Sequence, residues 1–136
     1  MRVMAIDYGD SRTGVAVSDR AGTLCGAAFV FGEKNLGKLV GRLAGAYEEH
    51  GAERAVVGHP LNMDGTRGPR AEKAEELCRR LCAQGLDAVL WDERRTTVEA
   101  AAILHENGRH GAKNREKLDA VAAALILEGY LASTRR

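Results

Sequence analysis

Apolar residues open the chain in short stretches broken by small polar turns, and after residue 35 their spacing changes to that of helices. "RVMAID" (residues 2–7) is rich in β-formers without clean alternation, the pattern of a strand buried on both faces. "TGVAVSD" follows a short polar turn, and "TLCGAAFVF" follows Arg20-Ala21-Gly22. Three strands with tight connections predict an antiparallel meander. "NLGKLVGRLAGAYEEHG" then puts Leu36, Leu39, Val40, Leu43 and Tyr47 on one helical face, with Gly51 as the stop. "RAVVGHP" reads as a fourth strand entering a loop that bears Gly and Pro. A second helix over 69–84 presents Ala74, Leu77, Cys78 and Leu81 and is closed by Gly85. "LDAVLW" is a fifth strand. Thr96 with Glu99 three residues later has the form of a capping box and predicts a third helix. A polar, basic loop over 106–116 leads to a last helix over 117–131.

This order combines a meander with βαβ crossovers and predicts an α/β fold in a single domain, residues 1–136. The expected architecture is one mixed five-stranded sheet with helices on both faces. It joins a three-strand antiparallel meander to two parallel strands, so that strands 1, 4 and 5 run parallel. Sites in such sheets form where the C-terminal ends of neighbouring parallel strands diverge.

Composition narrows the class. A hydrophobic share of 45% and a charged share of 29% fit an ordinary globular protein, and at 4% aromatics the core must be aliphatic. Asp7 interrupts the first apolar run too early for a leader peptide, and no run approaches the roughly 20 residues of a membrane span. A cytoplasmic protein with no membrane partner is expected. Cys25, Cys78 and Cys82 make neither a disulfide framework nor a zinc pattern, and Cys78 and Cys82 read as small buried hydrophobes. The net charge of +1 gives no bulk argument for nucleic acid. Its distribution does more, because Arg94-Arg95 and the segment Arg109, His110, Lys113, Arg115 and Lys117 flank acidic candidates.

Those candidates are Asp7 at the end of strand 1, Asp92-Glu93 at the end of strand 5, and Asp119 in the first turn of the last helix. Each has an ordinary alternative: a helix dipole favours Asp119, and Asp92 or Glu93 can pair with Arg94 or Arg95. Asp7 is harder to place structurally, since a carboxylate beside "VMAI" loses hydration unless something compensates it. Acids converging on one sheet edge repel each other, and Mg²⁺ or Mn²⁺ resolves the conflict. Two such ions serve both oxygens of a phosphodiester displacement.

With these residues in view, the chain resembles the YqgF/RuvX family of ribonuclease H-like nucleases, also described as Holliday junction resolvases. "DYGDSRTGVAVSD", "VGHPLNMDGTRGPRA", "DERRTTVEA" and "KLDAVAAALIL" carry the resemblance, in order, over nearly the whole chain. It implies a ribonuclease H-like fold and metal-dependent hydrolysis at the 5′ end of the small-subunit ribosomal RNA precursor. By the same resemblance Asp7, Glu93 and Asp119 are the catalytic, metal-binding acids. In related resolvases an acid at the end of strand 4 completes the site. Here Gly58-His59-Pro60 offers none, so the second acid is assigned to Glu93, with Asp92 as the alternative because adjacent residues on a strand face opposite ways. Arg95 stands where the family pattern leads one to expect an apolar residue. The loop "PLNMDGTRG" is either a phosphate-holding loop or an ordinary Asp-Gly turn. The resemblance favours substrate contact by Asn62, Thr66 and Arg67. Arg12, Arg94, Lys113 and Arg115 are further phosphate contacts. Structured RNA is the expected partner, with branched DNA or catalytically silent RNA binding as alternatives, for a monomer or a homodimer.

Overall fold

In the computed structural model, which describes residues 1–95 and 115–134, the first strand β1 (Val3–Asp7) is followed by β2 (Arg12–Ser18) and β3 (Cys25–Gly32). The helix α1 (Leu36–Glu49), β4 (Arg54–His59), α2 (Pro69–Ala83) and β5 (Ala88–Asp92) come next, and Glu93–Arg95 make a 3₁₀ turn. The helix α3 (Arg115–Thr134) is the last described element. The strands form one sheet in the order β3-β2-β1-β4-β5. β1, β2 and β3 pair antiparallel, whereas β1, β4 and β5 pair parallel, as the sequence predicts. The helix expected from Thr96, most of the loop 106–116 and Lys113 lie outside the described residues.

Local chemistry explains the element ends. Asn35 accepts a hydrogen bond from the Lys38 N–H at 2.9 Å and so caps α1. Gly51, at φ 67°, ends it while the Ala52 N–H reaches back to the Tyr47 carbonyl at 2.9 Å. β3 begins at Cys25 rather than at Thr23, because the Asp19 carboxylate takes the Thr23 N–H and hydroxyl, each at 2.8 Å. α3 starts two residues earlier than the expected Lys117.

Strand alternation sends residues to opposite faces. Met4, Ile6, Val15, Val17, Ala55 and Val57 pack under α1 and α2 with Leu39, Leu43, Leu77 and Leu81. Val3, Ala5, Ala16, Val56 and Trp91 pack under α3 with Ala123, Ile126, Leu127 and Leu131. One cysteine departs from expectation. Cys78 is buried in the α2 core, but Cys82, one turn on, is exposed. Parity then dictates what happens at the C-terminal edge of the sheet. Asp7 follows Ile6 and comes out on the α3 face, and Glu93, two residues past Trp91, continues toward the same face.

Candidate active site

Two glycines make room for the acids on that face. Gly14 is the cross-strand neighbour of Asp7, and a Cβ there would lie 2.6 Å from the Asp119 carbonyl carbon. Only a residue without a side chain lets the first turns of α3 lie this close to β2, and Asp119 is thereby carried to the end of β1. Gly58 ends the apolar part of β4, and a Cβ there would run into the Glu93 carboxylate and lie 2.6 Å from Ile126 Cδ1. The Glu93 side chain thus reaches back from the end of β5 over the end of β4. It fills the place where that strand offers no acid of its own.

The Asp7 and Glu93 carboxyls lie close enough for each to act on the other's proton affinity. Burial, and then the charge of Glu93, push the Asp7 carboxyl up to about 7; Asp119 adds to the rise and Arg70 opposes it. Burial also raises Glu93, against the pull of Arg70, of His59 and of the Asp7 hydrogen bond. Two adjacent carboxyls whose proton affinities are both raised titrate as a coupled pair. Asp119 sits apart from this pair, with its Oδ2 3.3 Å from Arg12 Nε.

The opposite face of the same edge is organised differently. The His59 ring nitrogen Nε2 lies 2.7 Å from Glu75 Oε2, and Arg67 forks onto both oxygens of Glu75. The hydrogen bonds from Arg67 and His59 hold Glu75 down at about 2. Asp92 accepts from the Arg94 side chain at 2.8 to 3.1 Å and from its N–H at 2.9 Å, which lowers it below the usual carboxylate range. In the loop 60–68 the N–H groups of Asn62, Gly65 and Thr66 are spent on Thr66, Asn62 and Asp64, and the Asn62 amide donates to the Thr66 hydroxyl. The loop is built as an Asp-Gly turn, with Gly65 at φ 88°, and Arg94 Nη1 lies 3.4 Å from the Met63 carbonyl.

Of the residues singled out in the sequence, Asp7, Glu93, Asp119 and Arg12 lie on the α3 face, Asp7 with Glu93 and Asp119 with Arg12. Asn62, Thr66, Arg67, Arg94 and Asp92 lie across the edge. Arg115 opens α3. Sequence reading missed Arg70, whose charge acts on both Asp7 and Glu93, and the His59–Glu75 contact. Its signal was present, since Arg70 follows Pro69 directly after a Gly-rich loop, at a helix start.

Among the described residues no three His, Cys, Asp or Glu side chains stand together as a ready-made ligand cluster, because Asp119 faces Arg12. The donor set nonetheless suits a hard divalent cation. All three acids offer carboxylate oxygen, and burial raises both Asp7 and Glu93, so positive charge beside them would be stabilising. No described helix is long and apolar enough to cross a membrane.

Comparison with known proteins agrees with this fold. A relative from Ruminiclostridium cellulolyticum named "Putative pre-16S rRNA nuclease" is 42% identical over 133 residues, covering 96% of this chain and 94% of the relative. The structure of T. thermophilus RuvC in complex with a Holliday junction substrate superimposes with a TM-score of 0.64 at 16% identity, over 99% of this chain and 97% of that one. The large terminase nuclease from thermophilic phage G20c with bound cobalt gives a TM-score of 0.52 at 15% identity, over 92% and 80%. These two likenesses establish the fold, a ribonuclease H-like one shared with RuvC. The family model for RuvX, the Holliday junction resolvase, matches residues 1–133, and the chain belongs to that family.

Proposed function

We propose that this chain is a divalent-metal-dependent nuclease that hydrolyses phosphodiester bonds in structured nucleic acid, with the 5′ end of the 16S ribosomal RNA precursor as its substrate and the cytoplasm as its place of action. The supporting observation is the Asp7–Glu93 pair: two adjacent carboxyls at the C-terminal edge of parallel strands, each raised by burial, which share a proton that a divalent cation replaces. Asp7, Glu93 and Asp119 would hold Mg²⁺ or Mn²⁺. When bound, such ions polarise a phosphoryl oxygen and lower the pKa of a bound water.

The chain's own residues do the rest. The sheet fixes Asp7, and Ile126 and Gly58 confine Glu93, so both oxygens are oriented before substrate arrives. Arg12, half-exposed beside Asp119, exchanges its carboxylate partner for a substrate phosphate, which its planar fork suits. Three carboxylates leave much of a cation shell to phosphate oxygens, so metal affinity should rise with substrate.

The test offers purified protein both structured RNA carrying the precursor 5′ end and four-way DNA junctions, with Mg²⁺ or Mn²⁺. Cleavage of the RNA that disappears with chelator and with Glu93→Gln is expected, and a second-order dependence of rate on metal would mark two ions. Junction cleavage without RNA cleavage would reassign the substrate. Chelator-resistant cleavage would contradict the reading.

A further inference from the structure

Beside the acids lies a small cleft of about 150 Å³ between the β1–β2 turn and the first turns of α2, lined by Tyr8, Gly9, Asp10, Arg70 and Lys73. Arg70 and Lys73 are three residues apart on one helix and share a face. Lys73 Nζ lies 2.7 Å from Asp10 Oδ1, and Lys73 holds the Asp10 carboxyl below its usual range. That carboxylate is 81% exposed, and exposed ion pairs contribute little, so another anion displaces it at small cost. Asp10 is the one acid among the lining residues, and the charge of Arg70 also acts on Asp7 and Glu93, which lie outside the lining. Gly9 keeps the turn tight, because a Cβ there would collide with the Arg12 carbonyl. Asp10, three residues beyond Asp7, stands at most about 11 Å from it along the chain.

From this we propose that the cleft is a binding subsite for one backbone phosphate of the nucleic-acid strand, flanking the phosphate that is hydrolysed, with Arg70 and Lys73 as its cations. In the free protein Asp10 stands in for that phosphate on Lys73. Arg70 adds a planar fork matched to two phosphate oxygens, whereas Lys73 contributes a point charge. The cleft is large enough to admit a phosphate group. Occupation fixes the strand's register over Asp7 without reading sequence. Asp10 gives the subsite selectivity of a simple kind, since a neutral ligand does not displace it.

This proposal rests on the nuclease reading, and binding measurements separate the two. Affinity for a non-cleavable RNA is measured against salt for the wild type and for Arg70→Ala, Lys73→Ala and Asp10→Asn, each checked for an unchanged melting temperature. Arg70→Ala and Lys73→Ala should each weaken binding by on the order of tenfold and flatten the salt slope by about one unit. Asp10→Asn should tighten binding roughly two- to fivefold. Arg79→Ala, farther along α2 and paired with Glu76, serves as the control and should change neither.

RNAs in which one phosphate at a time is made neutral by methylphosphonate then locate the contact. Neutralising one position beside the cleavage point should weaken wild-type binding by a similar factor, and the Arg70→Ala, Lys73→Ala double variant should no longer respond there. Slopes equal to that of the control, or a neutralisation profile identical in the wild type and the double variant, overturn the subsite while cleavage by the wild type leaves the nuclease intact. A wild type that neither binds nor cleaves overturns both.

Discussion

Two faces of one sheet edge treat their carboxylates in opposite ways. On the α2 face each acid has a base: Glu75 lies between Arg67 and His59, and Asp92 is forked by Arg94, so both fall below the usual range. On the α3 face Asp7 and Glu93 are pressed against each other and both rise. Asp92 and Glu93 are chain neighbours, so the difference is one of side-chain direction rather than of residue type. Paired acids on the α2 face hold β4, β5 and the loop 60–68 against α2. On the α3 face burial makes the ionised forms of Asp7 and Glu93 costly, which fits the proposed role as cation ligands.

The largest expected effect comes from removing the Asp7 charge. Asp7→Asn should cut hydrolysis by about three orders of magnitude or more, measured as metal-dependent turnover on folded protein. It should also alter stability in a pH-dependent way. A carboxyl raised from 3.8 to about 7 binds its proton more tightly folded than unfolded. Stability is therefore fully present below about 4 and falls as pH rises through about 7, by about 4 kcal/mol at most. Thermal melts without metal should show Asp7→Asn more stable than wild type at pH 8 and no better at pH 4. Equal melting temperatures at pH 8 would mean that the ionised Asp7 carries neither a burial cost nor repulsion from Glu93.

Glu93→Gln should lose at least about two orders of magnitude in turnover at saturating Mn²⁺. The inverse pattern, with Asp92→Asn inactive and Glu93→Gln active, would exchange the two faces. Next in size, Gly58→Ala tests the cradle rather than the charge. Its added methyl must displace the Glu93 carboxylate or Ile126, so turnover should fall on the order of 10²-fold and stability by about 1–3 kcal/mol. An unaffected variant would show that Glu93 does not lie over β4. Asp92→Asn is the smallest change: it removes a partly exposed ion pair, with about 1 kcal/mol or less of stability and little activity at stake.

Much of this arrangement was legible in the chain. The five strands, their parallel and antiparallel pairing, and the capped ends of α1 and α2 follow from local pattern and from Asn35, Gly51 and Gly85. Asp7 was recognisable because a carboxylate ending a buried strand has few structural uses. Other features depend on placement across the fold. The sequence reading assigned the second acid to Glu93 with Asp92 as the alternative, and the fold puts Glu93 beside Asp7 while Asp92 pairs with Arg94. Gly14 and Gly58 look like ordinary strand glycines until α3 and Glu93 are laid over them. Arg70 and Lys73 read as two exposed helix cations, and only the approach of the β1–β2 turn makes them walls of a cleft. His59 and Glu75 are 16 residues apart and carry no local signal of their contact.

The central claim is that Asp7 and Glu93 share a proton which a divalent cation replaces. Carbon-detected NMR titration of the Asp7 and Glu93 side-chain carboxyls, without and with Mg²⁺ and non-cleavable RNA, tests it most directly. The account predicts a metal-free pair whose upper titration step lies near 7 and drops well into the acid range when Mg²⁺ and RNA are both present. An Asp7 carboxyl that titrates near its ordinary 3.8 without metal, and does not respond to Mg²⁺ with RNA, would contradict it.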